Sequence, residues 1–326
     1  MYIQDALQWS QLTDENLDFY RAIGVDTIHV DIREGVSGVD PGIGADLRAG
    51  TDCTERFEQA RDRISAHGMK LNNLFLSCWP EIPLGQPEAA AATDAWCLLL
   101  ESLGRAGIPN LGWNFKPQGN FRTPADMGRG GVAYSTFDYA HFMTHRPTQH
   151  EPVITEDLMW ERMQGFLAAV IPVAERAGVR MALHPDDPPI PEPLGGVAQI
   201  CSTLEQFRRI FAAAPSEHNA MLFCQGCMTE LLGTGVYDAI AEMASARRIV
   251  WVHFRNVRGQ LPRFTEVFLD EGDIDMRRCM EIYRDNGFDG PYMMDHTPKF
   301  PSGNSQWLGK AFAVGYIRAL IQTVYG

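Results

Sequence analysis

The chain has 326 residues, 45% of them apolar and 21% charged, an ordinary balance for a protein with a large core. Its formal net charge is -13, which argues against the basic face that a nucleic-acid partner needs. No apolar run reaches the ~20 residues of a bilayer span, and MYIQDALQWSQLTDEN lacks a basic stretch followed by an apolar one, so the expectation is a cytoplasmic protein with no membrane partner.

Strand-like apolar runs alternate with longer amphipathic stretches. Strands are expected at roughly 3–8, 26–32, 70–78, 109–115, 179–184, 220–225, 248–254 and 291–296. Helices are expected at 14–23, 53–68, 91–107, 156–177, 203–214, 236–246, 275–286 and 307–323. The stretch CTERFEQARDRISAHG spaces its apolar positions among charges and closes on Gly68, as ENLDFYRAIG and AAVIPVAERAG close on Gly24 and Gly178. Eight strand–helix alternations without a second compositional zone predict a single α/β domain over 1–326, a (β/α)8 TIM barrel.

A doubly wound open sheet would carry a phosphate-binding glycine fingerprint after its first strand. GVSGVDPGIG (35–44) lacks that spacing and leads into no obvious helix. Two long stretches read as irregular, 33–52 and 116–154. The second is taken as a loop insertion of the kind that often forms lids or binding loops. Its His141, His145 and His150 read either as a second metal site or as part of a lid, and Trp79, Trp113, Phe115 and Trp307 as sugar-pocket walls or core.

The last four strands end in metal-ligating residue types. VRMALH ends in His184, AMLFC in Cys224, IVWVH in His253 and PYMMD in Asp295, with gaps of 40, 29 and 42 residues. Active sites of such barrels lie at the C-terminal strand ends, so the four side chains are expected to converge above the barrel axis. Two imidazoles, a thiolate and a carboxylate suit Mn2+, Fe2+, Co2+ or Zn2+ and are too soft a set for Ca2+ or Mg2+. The seven cysteines form an odd, irregular set and read as reduced thiols. CQGC (224–227) has the spacing of a redox pair or of half a zinc knuckle, but no thioredoxin-like order of elements surrounds it and no second CxxC exists, so Cys227 is expected beside the metal rather than on it.

The motifs LHPDDPP (183–189), LGG (194–196), FCQG (223–226), HFRNV (253–257), EGDIDM (271–276) and GFDGP (287–291) with Asp295-His296 resemble the mannonate dehydratase family in content and order. NFKP (114–117) with Arg122-Thr123 resembles its mid-chain loop. The resemblance implies a xylose-isomerase-like barrel that removes water from D-mannonate to give 2-keto-3-deoxy-D-gluconate, using Mn2+ or Fe2+. It further implies that His184, Cys224, His253 and Asp295 hold the metal, that Arg255 meets the substrate carboxylate, and that His296 transfers a proton. Three places depart from the family: Met293 and Met294 replace its Arg-Pro, Thr297 replaces a Gly, and the tail SQWLGKAFAVGYIRAL lacks its Gly-Tyr entry.

Other roles stay open on the sequence. Arg255 could instead pair with Asp186 or Asp187, and His296 could orient Asp295. Asp186 and Asp187 read as supports of the metal ligands or as substrate hydroxyl binders. Asn256 reads as a hydroxyl contact, Glu266 as a hydroxyl contact or equally a surface charge, and Asp273 as structural, a cap of the helix that follows. The small-molecule partner expected is a sugar acid, with a homo-oligomer left open. Two other functions compete: a sugar isomerase or epimerase on the same barrel, and a non-catalytic sugar-acid-binding relative. Cys224 and Arg255 count against the former, whose metal sites are carboxylate-rich and whose substrates are neutral.

Overall fold

The computed structural model describes residues 1–34, 41–145, 149–301, 303 and 305–326. Its strands, in chain order, are β1 (Tyr2–Gln8), β2 (Thr27–Asp31), β3 (Lys70–Ser77), β4 (Asn110–Asn114), β5 (Thr123–Met127), β6 (Ala133–Asp138), β7 (Arg180–Leu183), β8 (Asn219–Cys224), β9 (Ile249–His253), β10 (Asn256–Gln260), β11 (Arg263–Val267) and β12 (Pro291–Met293). The barrel closes in the order β1-β12-β9-β8-β7-β4-β3-β2. Each of its pairings is parallel. Parallel strands covered on both faces need near-continuous apolar sequence, and β2, β4, β8 and β9 are buried at every residue. That is why their short runs stand out in the sequence.

Helices fall where the periodicity predicts them. The helix Asp14–Ile23 is capped by the Thr13 side chain and ends on Gly24, at φ 94°. Glu156–Ala177 is capped by Thr155 and ends on Gly178, at φ 69°. Only glycine takes that left-handed conformation without cost, which lets the chain turn sharply into the next strand. No helix among the described residues is long and apolar enough to cross a membrane.

Several expectations are corrected. The stretch 116–154 is not an irregular loop: it carries β5, β6 and a helix, Tyr139–Thr144. With β10 and β11 these strands form a second, antiparallel sheet in the order β10-β11-β6-β5. It springs from the C-terminal ends of β4 and β9, so it stands over the edge of the barrel where the candidate ligands emerge. The stretch 33–52 contains a helix, Ile43–Arg48, entered from Gly42. The part of the glycine-rich run over 35–40 lies outside the described residues.

Trp79, Trp113 and Phe115 are core, not pocket walls. Trp79 and Trp113 flank Trp96 edge-on, and Phe115 packs on Trp113 and Phe166. Trp307 packs edge-on against Phe19 and Tyr20. Asp273 caps no helix. Its carboxylate accepts from Gly259 N at 2.7 Å, while Asp275 caps Met276–Asp285.

Candidate active site

The register of the barrel brings the strand-end residues together. Cys224 and His253 are directly paired across β8 and β9. His184 follows β7 by one residue, with its amide donating to Trp113 O of β4 at 2.7 Å. The ligand atoms of His184, Cys224 and His253 all lie within 4.8 Å of one another, and the three residues are buried. Asp295, two residues beyond β12, stands beside them with Oδ2 3.3 Å from His253 Nδ1. Its backbone is in the left-handed region, at φ 75°, a strain that Asp tolerates better than most residues and that concentrates at functional sites.

The donors fit a soft divalent ion. Pro185 O accepts a hydrogen bond from His184 Nδ1 at 2.6 Å, which leaves Nε2 as the lone pair to offer. Neither ring nitrogen of His253 has a hydrogen-bond partner although both are buried, a cost that coordination would remove. Burial alone would push the Cys224 thiol up. The neighbouring Cys227 thiol, the Arg255 guanidinium and His184 outweigh it and hold Cys224 well below the usual thiol range, in the thiolate form that metals take. Burial pulls His253 down, but Asp295 and Cys224 together raise it to about 9. Asp295 is held well below the ordinary carboxylate range, its desolvation outweighed by His253 and His296.

Arg255 is the hub behind this cluster and is 1% exposed. Its Nη1 donates to Glu266 Oε1 at 2.7 Å and to His296 Nε2 at 2.8 Å. Nη2 donates to Cys224 Sγ at 3.0 Å and Cys227 Sγ at 3.2 Å, with Asp187 at 3.5 Å. The expectation that Arg255 meets the substrate carboxylate gains no support here: both Nη atoms are engaged by carboxylate, imidazole and thiol groups that converge on it, and only its buried Nε lacks a hydrogen-bond partner. The pairing with Asp187 foreseen as the alternative is present.

Asn256 is not a substrate contact. Its amide donates to Leu269 O and Ile274 O at 2.9 and 3.0 Å, and its Oδ1 accepts from Val257 N and Ile274 N. Asp186 accepts from Cys201 N at 2.7 Å and Ser202 Oγ at 3.1 Å and is buried away from the cavity. Asp187 and Glu266 share Arg122, whose Nη2 is 2.7 Å from the one and 2.5 Å from the other. Burial favours a protonated Asp187, yet Arg122 and Arg255 hold it well below the normal range.

His296 is half exposed, with Nδ1 3.2 Å from Glu266 and Nε2 accepting from Arg255. This bonding fixes the Nδ1–H tautomer and leaves the lone pair on Nε2. Cys227 forms a second buried group with Asp187 and Glu230, and Arg255 is the cation among them. Burial, reinforced by Asp187, keeps Glu230 well above the usual carboxylate range. His141, in the helix Tyr139–Thr144, stacks at 4.3 Å on His145 at its C-terminal end, neither belongs to the ligand cluster, and His150 bonds Pro152 O.

Over the ligands lies a cavity of about 570 Å³, which His184, Asp187, His253, Asp295 and His296 line. It is also lined by His29, Asp31 and Arg33 at the end of β2, and by Lys116 and Lys310, which sequence reasoning did not single out as site residues. The strand-end rule applied to the last four strands would have found His29 and Asp31 had it been applied to the second.

A closed parallel barrel with such a titratable cavity over its C-terminal strand ends has the architecture of a barrel enzyme. The family model described as D-mannonate dehydratase matches residues 140–325. A mannonate dehydratase of Lactococcus lactis is 34% identical over 301 residues, covering 80% of this chain and 83% of its own. The crystal structure of mannonate dehydratase from Streptococcus suis superposes with a TM-score of 0.84 at 22% identity, over 99% of this chain and 93% of that one. A xylose isomerase domain protein from Planctomyces limnophilus shares the fold at a TM-score of 0.61 and 14% identity, over 99% and 98% of the two chains. The chain belongs to the D-mannonate dehydratase family and is a metal-dependent hydro-lyase of the xylose-isomerase-like barrel class.

Proposed function

We propose that this barrel removes water from D-mannonate to give 2-keto-3-deoxy-D-gluconate, with Mn2+ or Fe2+ held by His184, Cys224, His253 and Asp295. Co2+ and Zn2+ suit the same donors. The observation that carries the reading is the convergence of His184, Cys224 and His253 within 4.8 Å, with Asp295 beside His253, in a chain of this family. When bound, the ion supplies Lewis acidity toward a carboxylate and its neighbouring hydroxyl.

The remaining work falls to the chain. Dehydration needs a proton taken from the carbon beside the carboxylate and a proton delivered to the hydroxyl that leaves the next carbon as water. His296 lines the cavity and is the general base in this reading, exchanging the hydrogen bond that its Nε2 accepts from Arg255 for the substrate proton, while Glu266 at 3.2 Å fixes its ring and tautomer. Arg255 acts behind the reacting atoms, holding the Cys224 thiolate, Glu266 and His296 in one arrangement. Asp187, charged and in the cavity wall, is placed to accept from substrate hydroxyls.

The test is turnover of D-mannonate by protein loaded anaerobically with Mn2+ or Fe2+, following the 2-keto-3-deoxy acid. A positioned acid–base residue contributes roughly 10²–10⁴-fold, so His296→Asn is expected to lose activity on that scale with its metal content unchanged. Full metal occupancy with every aldonate left intact would overturn the reading.

A further inference from the structure

We infer that Lys116 reads the substrate carboxylate in this site, a role that rests on the proposed dehydration of a sugar acid. An aldonate brings a negative charge into a cavity already lined by Asp31, Asp187 and Asp295. Beside the proposed metal, a cation in the cavity wall that can turn to this carboxylate would favour it, because burying an anion is strongly disfavoured without well-placed partners. Arg255 is committed to Glu266, His296, Cys224 and Cys227.

The cavity wall offers Arg33, Lys116, Lys299 and Lys310. Arg33 is forked onto Asp31, with Nε at 2.9 and 3.0 Å and Nη2 at 2.5 Å. Lys310 is buried on Asp5 and also bonds Ala6 O at 3.2 Å. Lys299 is exposed, at the outer rim. Lys116 is half-buried, and its hydrogen bond runs to the side-chain oxygen of Asn120, a neutral amide. Among these cations it alone combines partial desolvation with a side-chain hydrogen bond to a neutral group, while its charge also acts on the buried Asp186 and Asp187.

Its place in the fold suits the role. β4 and β7 are paired in register at Trp113 and Leu183. Lys116 lies two residues past the end of β4, and His184 one residue past the end of β7, so the chain carries both off the barrel side by side into the same cavity. A carboxylate there would sit between the ammonium and the proposed metal ligands. An ammonium is a point charge on a flexible stem and does not impose the planar, two-point fit of a guanidinium. The site is thereby expected to select for an acid over a neutral sugar while tolerating some variation in the orientation of the acid.

The experiment is calorimetric binding of D-mannonate to the metal-loaded His296→Asn protein, alone and with Lys116→Gln, Lys116→Arg or, at the exposed start of β3 outside the cavity, Lys70→Gln, alongside kcat and KM of the same three variants in the active protein. Loss of one charge-assisted contact corresponds to roughly 10- to 100-fold. Lys116→Gln should weaken binding and raise KM on that scale with a smaller change in kcat. Lys116→Arg should restore binding to within about threefold, and Lys70→Gln should stay within about threefold of its parent. Unchanged binding in Lys116→Gln, or a fall confined to kcat, would overturn the role of Lys116 and leave the dehydratase reading standing. A parent protein that neither binds nor turns over any aldonate would overturn both.

Discussion

Arg255 Nη2 donates to Cys224 Sγ at 3.0 Å, while Nη1 of the same guanidinium donates to His296 Nε2 at 2.8 Å. One buried cation thus joins the thiol proposed to bind metal to the imidazole proposed to move the proton. The same group, 31 residues from the one and 41 from the other in sequence, thus supports the thiolate after Cys227 and also holds the imidazole ring.

Replacing Arg255 with Met should therefore damage stability and metal binding together. It would strand Glu266 and Asp187, both nearly fully buried, with one cation fewer. Breaking a buried pair from one side costs about 3–5 kcal/mol. Arg255→Lys keeps the charge but cannot span both thiols, Glu266 and His296, so only partial recovery is expected. Urea unfolding and metal content after dialysis check this, with a metal affinity about 10- to 100-fold weaker in Arg255→Met.

Glu266→Gln should leave the metal in place and slow the reaction. The carboxylate accepts from Arg122 and Arg255 and stands 3.2 Å from His296 Nδ1. An amide at this point loses the charge that holds the Nδ1–H tautomer. kcat is expected to fall about 10- to 100-fold, within the share that a positioned base contributes, with KM changed far less. Equal losses in kcat and metal occupancy would instead show that Glu266 acts through the ligands.

The barrel strands and the ligand cluster were legible in the sequence because both rest on local patterns. Strands buried on both faces are short apolar runs, and a His or Cys at the end of such a run in a parallel barrel has one place to point. The commitments of Arg255 and Asn256 were not legible. Their partners arrive from segments 11 to 41 residues away, and an arginine that is engaged by its own protein has the same letter as a free one. The second sheet was missed for another reason. β5 reads TPADM with no buried residue, so neither alternation nor an apolar run marks it, and only pairing with β6 makes it a strand.

His29 supplies a pH dependence that metal-free protein should show. Burial, with His253 adding to it and Asp31 opposing, pushes its folded value down to about 3 from 6.5, and its Nδ1 is 2.9 Å from Asn73 Nδ2. The unfolded chain therefore binds one more proton than the folded one between these values. The stabilisation is fully present above about pH 6.5 and is lost progressively as the pH falls toward 3, by up to about 1.4 kcal/mol per pH unit. Urea midpoints from pH 7 to 5 measure it. His29→Gln should flatten this acid limb, and an unchanged slope would show that His29 is not its source.

Asn256→Ala should separate folding from substrate recognition. The side chain bridges Leu269 O and Ile274 O and receives Val257 N and Ile274 N. It therefore ties the start of β10 to the loop that enters the helix Met276–Asp285. Gly272 packs so close that a Cβ there would fall 2.0 Å from Asn256 Oδ1. Truncation leaves two carbonyls and two amides short of a partner in a buried setting, at about 1–3 kcal/mol for an unsatisfied group. The expected result is a clear loss in thermal stability with KM for D-mannonate within about twofold, since removing uniform substrate binding is what raises KM. A large rise in KM at unchanged stability would return Asn256 to the substrate-contact role that the sequence suggested.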